Sequence, residues 1–508
     1  MTIQTMRDFG IGEGQIYIGG RWVNSASRDR REIQNPKDES LVALVPSSTI
    51  EDADRAVVAA RKAQPEWSRR TPMERGALLQ KLANLIDENS ETLAALLTAE
   101  GGKLLPESRI DANFAALLLR YAAESARRLQ GEILPGEGRD EQIWIQRVPY
   151  GVVAGITAWN FPAALFARKV GPALVTGNTI VVKPHELTPL TTLVLGELSR
   201  RAGIPEGVIN IVVGDGRTVG AHLVSHKGTD LISMTGSVRA GGEIYALGAE
   251  RIKPIRLELG GKAPFIVMDD ADIDKAVDAA VTSKFFFGGS VCTCNDRMYL
   301  HKSIHDAFLD KFLAQVKKLK VGDPTSDVQV GPRISAVEVN KLEAMKAKAI
   351  EQKATPLIEG KAQGAGFERG HWFFPTIFSV KSNDLEIMKQ ETFGPLIAAM
   401  AVDDFDQALA YANDSDYGLS AYLFTRDNRK IMRAVNELEF GEIYVNRPSG
   451  ESPHGFHTGF RKSGLGGEDG QHGIEGLCTR RRSTTITRDA VDFGSASPAA
   501  RRCTHGRS

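Results

Sequence analysis

Two periodicities divide this chain. Apolar residues recur at helical spacing through Leu78, Leu82, Leu85, Ile86 and Leu93, the pattern of a helix with one buried face. Thr71-Pro72-Met73-Glu74 opens that run with a capping hydroxyl, a Pro suited to the first helical position and an acid at the third. A long helix is therefore expected from Pro72 through Leu93, and the N-terminal quarter reads as largely helical. Beyond Pro149 the pattern changes to short apolar runs at 151–156, 179–182, 208–213 and 231–234, separated by helix-like stretches at 190–202 and 239–249. Strand-length runs alternating with helices predict βαβ units and a mostly parallel sheet covered on both faces. A second such series starts at 263–268, passes an acidic helix start at 269–274 and runs to about Val445.

The expected fold class is α/β. One parallel-sheet domain takes 1–130 and 148–257, a second α/β domain takes 258–445, and 446–474 returns to the active-site region. The strand-like stretches 141–147 and 482–488 belong to neither sheet. With their surroundings, 131–147 and 475–489, they are expected to form a small β element that pairs with another subunit. The tail at 490–508, rich in Ala, Ser, Arg and Gly, is expected to be disordered.

Composition narrows the class. The 508 residues are 42% hydrophobic and 25% charged, as in ordinary globular proteins. Lys plus Arg (63) balance Asp plus Glu (63), so no net field favours nucleic acid or a membrane surface. Four Cys are too few for a disulfide framework and point to a reducing, cytoplasmic setting. The first residues lack a signal-peptide pattern, and the apolar stretch 148–183 is broken by Trp159-Asn160, Arg168-Lys169 and several Gly and Pro.

Five places carry candidate chemistry. Lys183-Pro184-His185-Glu186 lies just past a predicted strand, where open α/β sheets bind ligands. An acid there accepts both hydroxyls of an adenosine ribose and repels a 2′-phosphate; a surface turn ended by Pro184 is the plainer reading. Thr235-Gly236-Ser237 precedes a helix whose free N–H groups suit a pyrophosphate. Gly214-Asp215-Gly216 with Gly220 nearly spells the dinucleotide fingerprint, one residue too long, and an ordinary turn explains it as well.

Cys292 and Cys294 follow Gly288-Gly289-Ser290, where glycines allow a substrate to approach an exposed thiol. A structural buried Cys is the alternative, and no His or Cys at zinc-like spacing completes a metal site. Glu258 stands in Leu257-Glu258-Leu259-Gly260-Gly261-Lys262, an acid inside an apolar run that must be paired or functional. A raised pKa there would make a general base.

Together these segments resemble the aldehyde dehydrogenase superfamily, from about Ile16 to about Arg488. Its motifs occur in order: Trp159-Asn160-Phe161-Pro162, Lys183-Pro184-His185-Glu186, Thr235-Gly236-Ser237, the Glu258 segment, Cys292, Glu391-Thr392-Phe393-Gly394-Pro395 and Ser463-Gly464. Residues 413–419 and 455–464 are most similar to lactaldehyde/glycolaldehyde dehydrogenases, and 160–169 also to succinate-semialdehyde dehydrogenases.

The resemblance implies a Rossmann-like NAD-binding domain, a catalytic domain, a β oligomerisation element and a homotetramer made of dimers, or a homodimer. It implies Cys292 as nucleophile, Glu258 as the base that hydrolyses the thioester and Asn160 as oxyanion donor. Lys183, Glu186, Gly216, Gly236, Ser237, Glu391 and Phe393 would hold NAD, with NADP disfavoured by Glu186. Arg168, Phe161, Leu165, Phe286, Thr293 and His457 are the expected substrate contacts, with no metal.

The chain departs from the family's usual Asn-x-Gly-Gln before the nucleophile, reading Phe287-Gly288-Gly289-Ser290. The expected activity is NAD-dependent oxidation of a short polar aldehyde. The alternatives are a semialdehyde, an aromatic aldehyde, or a catalytically weak dinucleotide-binding relative.

Overall fold

The computed structural model describes residues 2–362 and 364–486. The expected tail at 490–508 lies outside the described residues. The described chain opens with the short helix Thr2–Asp8, and two strand pairs precede the long helices of this quarter: Gln15–Ile18 pairs with Arg21–Asn24, and Arg30–Gln34 with Leu41–Pro46. Their runs are four to six residues long, too short for periodicity to separate them from loops. Helices follow from Ile50 to Glu124. The capping box at Thr71 forms as expected, with Glu74 reaching back to the Thr71 N–H. The single long helix does not form. Asn89 stops Pro72–Glu88 and starts Ser90–Gly101, and its side chain donates to the Leu85 carbonyl at 2.7 Å, the competition with backbone that makes Asn a helix breaker.

The first large sheet has a parallel centre in the spatial order Ile209–Ile211, Thr179–Lys183, Val152–Ile156, Leu231–Thr235, Ile255–Glu258. All but the last are buried along their whole length, which is why they read as continuous apolar runs. The short strand Gly464–Leu465 closes one edge antiparallel to Leu257 and Glu258. The second sheet places Ala263–Val267 between Asn295–His301 and Ser420–Phe424. Four residues separate the Ile255–Glu258 strand of one sheet from the Ala263–Val267 strand of the other, so their ends meet.

The two outlying strand-like stretches find their partners in the same chain. Glu141–Pro149 pairs antiparallel with Cys478–Ile486 on one side and Glu132–Pro135 on the other. The small sheet is thus complete without another subunit in its interior, and its outer strands remain as edges. Among the described residues, no helix is long and apolar enough to cross a membrane.

Candidate active site

Cys292 sits in the tight segment that ends the helix Ile273–Phe285 and leads into the strand Asn295–His301. The glycines before it serve the backbone rather than the approach of a substrate. Gly289 has φ +79, and a Cβ there would run into the Gly394 backbone. Gly261, from the paired glycines after Glu258, lets the nucleophile segment pass close: a Cβ on it would lie 2.7 Å from the Cys292 carbonyl oxygen.

Phe287 adopts φ 44, an uncommon conformation for a bulky residue. Buried polar groups hold it there. Glu107 accepts the Phe287 N–H at 2.7 Å, and Arg333 donates to the Gly288 carbonyl and the Ser290 hydroxyl, both at 2.7 Å. Ser290 therefore has a partner of its own where the family's Gln would stand.

Asn160 lies in the loop after Val152–Ile156, and its amide donates to the Ser290 carbonyl at 3.1 Å. This ties the expected oxyanion donor to the Cys292 segment. The helix Leu105–Glu124 serves both loops. One turn beyond Glu107, Asp111 accepts the Ala164 N–H at 2.9 Å at the start of Pro162–Val175 and pairs with Lys103 at 2.8 Å. The Lys103 ammonium lies 3.8 Å from the Phe161 ring centroid and 4.7 Å from that of Phe287, a cation–π contact in a buried setting. Burial pushes Glu107 up to about 7, against the Phe287 N–H and Lys103, which lower it.

Glu258 ends its strand in register with Thr235 and faces the thiol across the junction of the sheets. Cys292 Sγ, a Glu258 carboxylate oxygen and a ring nitrogen of His457 lie within 4.8 Å of one another. Burial, and then the Glu258 charge, push the Cys292 thiol well above its ordinary range, while the His457 hydrogen bond pulls it down. Cys294 is buried and faces Lys284 and the Gly289 carbonyl, with burial raising it to about 11.

The expected substrate contacts divide. Phe161 stacks on Phe286 at 6.3 Å and meets Phe287 edge-on at 6.2 Å, and Leu165 is buried. Thr293 is buried, its carbonyl taken by the Ser420 and Tyr422 hydroxyls. The Arg168 guanidinium is spent on the chain's own carboxylates, with Asp469 at 2.7 Å and Glu451. His457 belongs to the Cys292–Glu258 cluster itself.

The expected coenzyme residues gather at the carboxyl ends of the first sheet. Lys183 donates to Glu186 at 3.2 Å, and Arg31, from the N-terminal hairpin, is near enough to depress the Lys183 and His185 charges. That cation lies outside the motif that holds Glu186, so sequence reading missed it. Ser237 caps the helix Val238–Ala249, and the Gly236 N–H donates to the Glu258 carbonyl at 3.0 Å. Gly216 is exposed with open space where a side chain would be, but Asp215 already accepts the Arg217 and Thr218 N–H groups, so that turn has fewer amides for a phosphate than its glycines suggested.

Glu391 accepts the Gly261 N–H at 2.9 Å, and burial raises it to about 7. Phe393, at φ 51, packs edge-on against Trp159 at 5.4 Å. An acid past one strand and a capped helix start past another fit a dinucleotide.

Several residues of the site carried no local signal: Lys103, Glu107, Asp111, Arg333, Glu442 and Glu451. The Ser463-Gly464 motif proves architectural. The Ser463 hydroxyl donates to the Gly260 carbonyl at 2.8 Å and accepts the Gly418 N–H at 2.9 Å, joining the two sheets beside Glu258.

Known proteins share this arrangement over most of their length. The model of the aldehyde dehydrogenase family matches residues 22–482. A 3,6-anhydro-alpha-L-galactose dehydrogenase of Vibrio sp. (strain EJY3) is 44% identical over 465 residues, 91% of this chain and 96% of the relative. The lactaldehyde dehydrogenase of Escherichia coli (strain K12) is 40% identical over 461 residues, 90% of this chain and 96% of the relative. A solved 3,6-anhydro-L-galactose dehydrogenase in complex with NAP superposes with TM-score 0.91 at 44% identity, covering 92% of this chain and 99% of that one. With its two joined α/β sheets and its family motifs in order, the chain belongs to the aldehyde dehydrogenase family.

Proposed function

We propose that this enzyme oxidises a short, neutral aldehyde bearing hydroxyl or ether oxygens to its carboxylic acid, with Cys292 as nucleophile, Glu258 as base and Asn160 as oxyanion donor. The reading rests on one observation: a thiol, a carboxylate and an amide N–H converge at the buried junction of the sheets. The Cys292 thiolate bonds to the carbonyl carbon, and the displaced electron pair moves to oxygen, where the Asn160 amide and the Cys292 N–H receive it. A nicotinamide coenzyme, when bound, supplies the hydride acceptor. Cys292 then carries the acyl group as a thioester. Glu258 takes a proton from water, the water oxygen attacks the acyl carbon, and the C–S bond breaks to return the thiolate.

Electrostatics favour a neutral substrate. Around the thiol, the carboxylates of Glu258, Glu442, Glu451, Glu468 and Asp469 outnumber the cations of His457, Arg168 and Lys169, and Arg168 and Lys169 are already paired. A substrate carboxylate would add to that excess, whereas hydroxyls would donate to it. The likeness to lactaldehyde and anhydrogalactose dehydrogenases supports the same class.

Lys183, Glu186, Gly216, Gly236, Ser237, Glu391 and Phe393 are proposed to hold the coenzyme, with NAD preferred because a 2′-phosphate meets the Glu186 charge. Lys183 and Arg31 soften that discrimination. Comparing kcat/KM for glycolaldehyde, lactaldehyde, succinic semialdehyde and a long alkanal, with each coenzyme, tests the proposal. A preference for succinic semialdehyde or for the alkanal would overturn the substrate class.

A further inference from the structure

The reaction above leaves His457 without a task. Its ring is 2% exposed and both nitrogens are committed, Nδ1 lying 2.8 Å from Glu442 Oε1 and Nε2 3.2 Å from Glu258 Oε1. Carboxylates only accept, so a ring facing one on each side holds a proton on each nitrogen. The far carboxylate is fixed by the Tyr444 hydroxyl, which donates to Glu442 Oε2 at 2.6 Å. The backbone at His457 is fixed as well, exchanging two hydrogen bonds with Glu468 at 2.9 and 2.8 Å.

The charged groups around the ring come from every neighbouring element. Glu258 ends the strand Ile255–Glu258, Glu442 starts Glu442–Val445, and Glu451, Glu468 and Asp469 lie on the return segment. Arg168 takes up Glu451 and Asp469, and Lys169 takes up Glu468. Burial opposes the charged ring, but Glu451, Cys292, Glu258 and Glu442 outweigh it and keep the imidazole protonated well above its ordinary range.

We propose that His457 is a catalytic residue, the fixed cation across which one negative charge passes from Glu258 to Cys292 when the nucleophile is generated. The Cys292 S–H bond breaks, its proton goes to a Glu258 carboxylate oxygen, and the electron pair stays on Sγ; Glu258 releases that proton to solvent before it acts as base on water. The three groups carry no net charge before the transfer or after it, and nothing is oxidised or reduced. The imidazolium need not move, because it faces the carboxylate before the step and the thiolate after it. A half-buried thiolate without that partner would be a poorly compensated charge. Glu442, which holds the far side of the ring, is the positioning residue of this device.

The inference rests on the reading of Cys292 as nucleophile, and the experiment separates the two. The full-length protein, without aldehyde or coenzyme, is alkylated with iodoacetamide from about pH 5 to about pH 10, and the label is mapped by mass spectrometry. His457→Gln is expected to move half-maximal alkylation of Cys292 upward by about one pH unit or more, and to lower kcat about tenfold or more, with coenzyme affinity unchanged. Glu442→Gln, at a less enclosed position, is expected to shift the profile in the same direction by less.

A folded His457→Gln protein whose alkylation profile coincides with wild type, with only the aldehyde KM raised, would overturn the proposal and leave the ring a substrate contact. If that variant does not fold, an unshifted profile in Glu442→Gln overturns it instead. Label on another cysteine of the wild type, with Cys292 unmodified, would bring down the nucleophile assignment first.

Discussion

At the scale of single residues, burial and pairing separate groups that look alike in the sequence. Cys292 and Cys294 stand two apart, yet one faces Glu258 and His457 and the other faces Lys284 and a backbone carbonyl. Cys294→Ala is expected to retain most of the activity and to cost about 1 kcal/mol of stability, for a small buried side chain; steady-state rates and thermal melts check both. Arg168 is where sequence reasoning and geometry differ most. A guanidinium eight residues after Asn160 suggested a partner for the substrate, whereas Asp469 and Glu451 come from the far end of the chain and no local pattern announces them. Arg168→Leu would leave both carboxylates buried and unpaired. It is expected to lower stability by about 3–5 kcal/mol and to impair hydroxyaldehydes and alkanals alike, read from melting temperature and kcat/KM. Glu186→Gln removes the charge that opposes a 2′-phosphate, and it is expected to raise the NADP-to-NAD ratio of kcat/KM by about tenfold.

At the scale of elements, the helix Leu105–Glu124 links the two loops on which the chemistry depends. Glu107 holds the Phe287 N–H, and Asp111, one turn on, holds the start of the helix after Asn160. Its role follows from the 3.6-residue repeat, which sets the two acids on one face, but the sequence does not say what that face meets. Glu107→Ala leaves the Phe287 N–H unpaired. The expected cost is about 1–3 kcal/mol of stability and about a tenfold drop in kcat with little change in coenzyme KM, as initial-rate kinetics would show.

The parallel-sheet strands were legible because burial on both faces makes them continuous apolar runs, as at Thr179–Lys183. The early strands such as Arg30–Gln34 were not, because mixed charge and a one-sided core mask their alternation. The break at Asn89 was missed because the apolar spacing continues across it.

At the scale of the whole molecule, residues far apart in sequence form one site because the chain returns. After the second sheet, the segment through His457 and Ser463 adds a strand to the first sheet beside Glu258, carrying Glu451, Glu468 and Asp469 with it. The family motifs gave the proposed nucleophile, base and amide, but the residues that hold them come from other parts of the chain. The small sheet of Glu132–Pro135, Glu141–Pro149 and Cys478–Ile486 leaves Ile133, Leu134 and Trp144 exposed, and it is the proposed contact for a homotetramer. Deleting residues from 482 onward removes its pairing with 141–145 and is expected to yield smaller assemblies by light scattering, while an intact protein that is monomeric would refute the assembly.

The central claim is covalent aldehyde oxidation at Cys292. Its most direct test follows coenzyme reduction with a neutral hydroxyaldehyde in wild type and Cys292→Ala, alongside calorimetric binding of the coenzyme. The account predicts turnover in the wild type and, in the variant, unchanged coenzyme binding with no turnover; a Cys292→Ala protein that still reduces coenzyme at a rate near wild type would contradict it.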